Sequence, residues 1–402
     1  MRPITDRHQQ AIMRALVLGA AGAVCSETTR DLSRFSSFDE IIAADYDLDA
    51  VTALVESLDD PRIKPIFFDA NDEKAMCDLF DGFDVVVNGL PYRYDLAVNR
   101  ACVEVGVSGL DLSSEDAQFA LHEQAQDKDI LFVPGVGATP GITNMMVRRA
   151  SEQLDSLEEV DIYFAAFRCL APAPGLLATT LWEFNPEEGD RTEVYFEDGR
   201  WHPAPPLSGE ITVRFHDQIG EQKVYYVPHD EANTLPRSFP GLRRAAVRGC
   251  FPPHVMALMA ALMRGGLLSS RPVSLGDKQY PAIELVARLL AGSPTSRENP
   301  IWAYGLVVEV TGRRRGRKTR CIYRNHHPPQ ENWGGPAAYF KNVGIPLSIG
   351  AQLIASGQGT GKGVLPPEQA LPTLPFFTEL ARRGITVEET IVEEGEIVPA
   401  SG

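Results

Sequence analysis

The stretch ALVLGAAGAVC (residues 15–25) and the run IIAAD (41–45) that follows it decide the fold. ALVLG is a short, unbroken apolar run that ends in glycine and opens onto a helix-like stretch reaching about Arg34. IIAAD repeats the pattern ahead of LDAVTALVESL. Outward from there the alternation continues: IKPIFFDA (63–70), DVVVNGL (84–90) before LAVNRACVEVG, SGLDLS (108–113) before a helix near 115–128, and ILFVPGVG (130–137). The runs are continuous rather than alternating, as strands covered by helices on both faces require. Six such strands separated by helices predict an α/β fold, a Rossmann-type doubly wound parallel sheet over residues 13–140.

The turn after the first strand carries chemistry. Gly19 and Gly22 let backbone approach a pyrophosphate, with Ala21, Ala23 and Val24 supplying N–H groups at a helix N-terminus. The pattern is GxxGxxC, and Cys25 stands where a third glycine permits close helix–strand packing. An ordinary turn has the same composition, and the strand–turn–helix order favours the dinucleotide reading. Asp45 ends the second run, where a carboxylate accepts both ribose hydroxyls and repels a 2′-phosphate; no arginine follows it, so NAD is expected over NADP. Asp45 as a helix N-cap is the competing reading, for which Asp47 is better placed. Asp69 is expected at the adenine amino group. Asn88, Gly89 and Leu90, at the fourth strand's carboxyl end, are expected on the nicotinamide side, although Asn88 also suits a turn.

After Pro140 the texture changes. Helices are expected over about 141–153, 254–268 and 282–292, and strands at VDIYFAAF (160–167), TEVYF, ITVRF and KVYYV. LVVEVTGRRRGRKTRCIYRN (306–325) reads as two strands joined by a turn. A second, α+β domain is expected over 141–340. The helix near 345–357 is expected to return to the first domain, and 358–402 to run out in turns and an acidic tail. Residues 1–12 read as a disordered tail. Pro134–Gly141, with three glycines and two prolines, suits a rigid crossing between domains that leaves N–H groups free beside a cofactor; Thr143 and Asn144 open the helix beyond it.

With 54 acidic and 38 basic side chains among 402, the net charge is −16. Phosphate backbones and anionic lipid repel such a chain, so no nucleic-acid or membrane partner is expected. The basic cluster 313–320 is expected as a solvated edge guarding a hairpin. No apolar run reaches the roughly 20 residues of a membrane span, and no secretory signal is evident, which points to a cytoplasmic protein. Six dispersed cysteines, no CxxC and no HxH spacing argue against a metal; His326 and His327, adjacent on a strand, point to opposite faces.

DVVVNGLPYRYDLAVNRACVEVGVSGLDLS and LHEQAQDKDILFVPGVGATPGITNMM resemble the saccharopine dehydrogenase-like oxidoreductases, and within them the lysine 6-dehydrogenase group. NTLPRSFPGLRR (233–244), AQLIASG (351–357) and GKGVLPPEQALP (361–372) extend the resemblance. It implies NAD-dependent hydride transfer at a carbon bearing nitrogen, on an amino acid or related amine, in a homodimer whose second domain, 141–340, carries substrate contacts and dimer packing. Cys25 departs from the family turn, and its bulk is expected to weaken or shift the pyrophosphate. Oxidative deamination is the leading version; reductive condensation of an amine with an aldehyde, as in saccharopine reductase or carboxynorspermidine synthase, is the second. A non-catalytic dinucleotide-binding subunit is the reading of a different class.

For an amino-acid carboxylate, Arg237 is the first choice because arginine pairs with it bidentately. Arg248 comes second and Arg168 third. Asn233 and Thr234 accompany Arg237. His229, with Asp230 and Glu231, offers an imidazole suited to proton exchange near neutral pH, the alternative being a polar turn.

Overall fold

The computed structural model describes residues 12–187, 193–298 and 301–394; apart from Ile12, the expected tail lies outside the described residues. The first sheet uses the six anticipated strands: β1 (Arg14–Leu18), β2 (Glu40–Asp45), β3 (Ile63–Phe67), β4 (Val85–Asn88), β5 (Ser108–Leu110) and β6 (Leu131–Val133). Every pairing is parallel, and the order is Gly363–Val364, β6, β5, β4, β1, β2, β3. Continuous apolar runs are needed where both faces are buried, as they are in all but the edge strand β3. Along β1, Ala15 and Val17 enter one core, with Leu32 and Ile349, while Leu16 and Leu18 enter the other, with Met76, Phe80 and Val98.

Helix α1 (Ala23–Phe35) follows the glycine turn. The helix expected at 345–357 begins earlier and spans Ala337–Ala355. It lies against α1, where Thr28 Oγ1 donates to the Gly344 carbonyl at 3.0 Å. The helix expected near 115–128 is two pieces, Asp116–Phe119 and His122–Asp127.

The second domain is built on a mixed sheet. Its central strands are Arg244–Cys250, Ser156–Phe167, Ala303–Arg314 and Arg317–His326, the first two parallel and the others antiparallel. The segment 358–394 departs from the expected run of turns; 395–402 lie outside the described residues. Gly363–Val364 adds a seventh strand to the first sheet, Thr373–Arg382 is a helix, and Thr386–Glu393 pairs antiparallel with Arg317–His326.

The basic hairpin is therefore no sheet edge. Glu393 meets Arg314 and Arg317, Glu388 meets His326, and Glu389 accepts from the Tyr323 hydroxyl. Charges that look solvated in each segment alone neutralise one another across a strand pair. No helix among the described residues is long and apolar enough to cross a membrane.

Candidate active site

The glycine turn fits a dinucleotide. Gly19 adopts φ +68°, and a methyl group there would lie 3.0 Å from the Gly89 carbonyl oxygen. Gly22 precedes α1 with no side-chain cap, so the helix presents free N–H groups at the carboxyl ends of β1 and β4. The Cys25 thiol does not enter that cradle. It is 1% exposed and packs toward the sheet, into the notch left by Gly89, where a Cβ would sit 2.0 Å from its sulfur. Bulk at position 25 is thus accommodated by a missing side chain at position 89. Burial pushes the thiol up to about 12, outweighing the Thr28 hydroxyl.

Asp45 ends β2, and its carboxylate accepts from the Ala21 and Asp47 N–H groups at 2.9 and 3.0 Å, one of them in the glycine turn. Asp47 takes the capping role on Ala50. Beside Asp45 two aromatic rings stand exposed, Tyr46 and Phe67, with centroids 5.6 Å apart. Asp69 is turned to Asn71, which in turn receives the Tyr94 hydroxyl. Asn88 is buried; its Oδ1 receives the Leu90 N–H and its Nδ2 donates to Asp95 at 2.7 Å.

Opposite, the second domain contributes His229 and Glu231. Helix Glu231–Ser238 starts at the fully buried Glu231, which receives His229 Nδ1 at 2.5 Å. The Thr143 hydroxyl donates to the same carboxylate at 2.7 Å, and the Thr139 hydroxyl also donates to it. Burial pulls the His229 imidazole down, but the charge and hydrogen bond of Glu231, with Asp230 and Glu183, outweigh it and take the group up to about 9. Glu231 is pulled down despite burial, chiefly by His229. Burial, countered by His229 and reinforced by Glu231 and Glu115, holds Asp230 up at about 6. Asp95 is pushed to about 7 by burial, against the Ser113 and Asn88 groups and with Glu115 and Asp230 adding. The junction between the domains is lined by carboxyl groups.

The three guanidiniums are engaged elsewhere. Arg237 forms a bidentate pair with Asp116 at 2.7 and 3.0 Å, half-exposed, tying helix Glu231–Ser238 to the first domain. Arg248 lies beneath Tyr226, bonded to Asp161. It pairs in register with Tyr163, whereas His229 packs on the next residue, Phe164, so the two occupy opposite sheet faces. Arg168, 3% exposed, donates to Tyr339, Thr180 and the carbonyls of Cys169, Leu170 and Leu176. Asn233 Oδ1 is buried with no hydrogen bond among the described residues, and Thr234 is buried beside Glu368. Sequence reasoning missed Tyr46, Phe67, Thr139 and Glu368; the motif GKGVLPPEQALP held the last without indicating a partner.

The fold and glycine turn define a dinucleotide-binding protein. Residues 15–133 match the model of the saccharopine dehydrogenase NADP binding domain, and residues 137–385 that of the saccharopine dehydrogenase C-terminal domain. The chain belongs to the saccharopine dehydrogenase family and is an enzyme of its dehydrogenase/reductase kind. It is 24% identical to carboxyaminopropylagmatine dehydrogenase of Synechocystis sp., over 94% of this chain and 98% of that protein. It is 25% identical to carboxynorspermidine synthase of Vibrio alginolyticus, covering 78% and 79%. Apo saccharopine dehydrogenase (L-Glu forming) from Saccharomyces cerevisiae shares the fold, with TM-score 0.69 and 15% identity over 94% of this chain and all of that one. Homospermidine synthase from Legionella pneumophila in complex with NAD does so at TM-score 0.59 and 12% identity, covering 97% and 95%.

Proposed function

We propose that this enzyme reductively joins a cationic amine to a carboxyl-bearing aldehyde, with a nicotinamide dinucleotide as hydride donor. The amine nitrogen adds to the aldehyde carbon and water leaves; hydride and one proton then convert the resulting C=N bond to a secondary amine. The observation that carries this reading is the junction itself. Asp230, Glu231 and Glu183 surround a single imidazole, with Asp95 close enough to Asp230 to feel its charge, an environment that stabilises ammonium groups. The named relatives support it, since both carry carboxylated polyamine chemistry in their names.

Gly19, Gly22 and the first turn of α1 would hold the diphosphate, Asp45 the adenosine ribose, and Asn88 to Leu90 the nicotinamide side; Asp45 favours NAD. His229, protonated and held by Glu231 through Nδ1, would hold or give the proton through its other nitrogen. Arg237, half-exposed and paired with Asp116, would be the cation for the aldehyde's carboxylate, exchanging Asp116 for substrate. A carboxyl-lined junction suits the ammonium of lysine as well, so what favours condensation over lysine-type oxidative deamination is the likeness to these relatives.

Steady-state assays test the reading. Agmatine or a short diamine, with a carboxyl-bearing aldehyde and NADH or NADPH, should oxidise the cofactor. Lysine, ornithine or the same diamines with NAD or NADP alone should not turn over appreciably. Turnover of lysine without aldehyde would refute the condensation.

A further inference from the structure

A helix of eight residues does not hold its own place. Glu231–Ser238 contains Pro236 and has no side-chain cap at its start, so its position depends on ties to its neighbours. Those ties form a closed ring. At one end Glu231 receives the hydroxyl of Thr143, on helix Ile142–Ser151. At the other end Ser238 Oγ donates to Glu368 Oε1 at 2.7 Å. Glu368 Oε2 receives Asn144 Nδ2 at 2.9 Å, from the residue next to Thr143. Asn144 Oδ1 in turn accepts the Gly141 N–H at 2.9 Å, at the end of the glycine- and proline-rich crossing. Glu368 is 1% exposed and sits on the short helix Pro367–Ala370, just past the strand that joins the first sheet.

We propose that Glu368 is a positioning residue for the His229–Glu231 pair: it pins the far end of the helix that carries Glu231 and so sets the contact between carboxylate and imidazole. The proposal rests on the reading of His229 as the proton-handling group. A buried carboxyl group is costly unless its oxygens are bonded, and here both are, to two helices that must keep register. Glutamine can repeat the arrangement, its carbonyl facing Asn144 and its amide facing the Ser238 oxygen. Alanine takes the acceptor from Asn144 Nδ2 and leaves Ser238 Oγ with Gln369 Nε2 at 3.1 Å, so the helix end keeps that bond and the Arg237–Asp116 pair but loses its buried anchor. The groups that face His229 are Glu231, Asp230, Glu183 and the Phe164 ring; of these, Glu231 and Asp230 ride on the helix or its first residue.

The test compares Glu368→Ala, Glu368→Gln and Ser238→Ala in the full chain, following the His229 imidazole by NMR titration with labelled histidine, assigned with His229→Gln, and without substrate. The wild-type ring should titrate near 9. Glu368→Gln should titrate within a few tenths of that, Glu368→Ala at least about one unit lower, and Ser238→Ala lower by a smaller amount. Should the alanine variant at 368 fail to fold, Ser238→Ala, which keeps the carboxylate, decides. An unchanged His229 titration in the folded alanine variants, with only melting temperature reduced, overturns the proposal. The titration needs no turnover. A chain inactive on every amine that still shows the shift loses the proposed reaction and keeps the clamp; an active chain without the shift does the reverse.

Discussion

Gly89→Ala isolates the fit between the dinucleotide turn and the sheet. A Cβ at position 89 would lie 2.0 Å from Cys25 Sγ, where van der Waals contact needs roughly 3.5 Å. The backbone at Gly89 shows no positive φ, so alanine is opposed by this contact and not by its own conformation. The sulfur must move by more than an ångström, and it sits in the first turn of α1, buried at 1% exposure. Overpacking of that kind costs about 2 kcal/mol. Because α1 carries the N–H groups of the cradle, dinucleotide affinity should fall together with stability, by about tenfold for each 1.4 kcal/mol transmitted.

Cys25→Ala removes the sulfur and leaves a 3.3 Å contact between Cβ atoms that a small shift relieves. The double variant should recover most of the loss, with a favourable coupling of about 2 kcal/mol. Urea unfolding and calorimetric NADH binding on the four proteins measure both effects. Additive losses in the double variant would refute the packing argument.

Asp45→Ala should weaken NAD binding and narrow its preference over NADP, read as the ratio of the two dissociation constants; an unchanged ratio places the ribose elsewhere. Glu231→Gln should drop the His229 imidazole from about 9 to below its ordinary value of 6.5, since burial is then the larger influence. The raised wild-type value means that His229 contributes stability fully below about pH 6.5, and that this is lost as pH rises through 9. Melting temperature should therefore fall between those limits in the wild type, by an amount equivalent to about 3 kcal/mol at most, and stay flatter in Glu231→Gln; parallel curves would show that the two groups are not coupled. Arg237→Ala breaks a half-exposed pair and should cost under about 1 kcal/mol of stability, while raising KM for the carboxyl-bearing substrate and sparing cofactor affinity.

The amino-acid sequence alone determined the six strands of the first sheet, because a strand covered on both faces must be apolar without interruption, and that pattern is local; only the edge strand Ile63–Phe67 is largely uncovered. It also determined the glycine turn and Asp45, since each follows directly from where a strand ends. Tertiary structure decided the rest. Gly363–Val364 is too short to show any period, and Thr386–Glu393 reads as an acidic tail until the basic strand beside it supplies the opposite charges. Cys25 looked obstructive because its turn was read without Gly89, which only the neighbouring strand brings against it. Glu231 lies 92 and 88 positions from Thr139 and Thr143, and Glu368 lies 224 and 130 from Asn144 and Ser238. Periodicity reports which face of an element is buried; it carries no information about which distant side chain completes a buried carboxylate, and that was settled by the way two sheets meet.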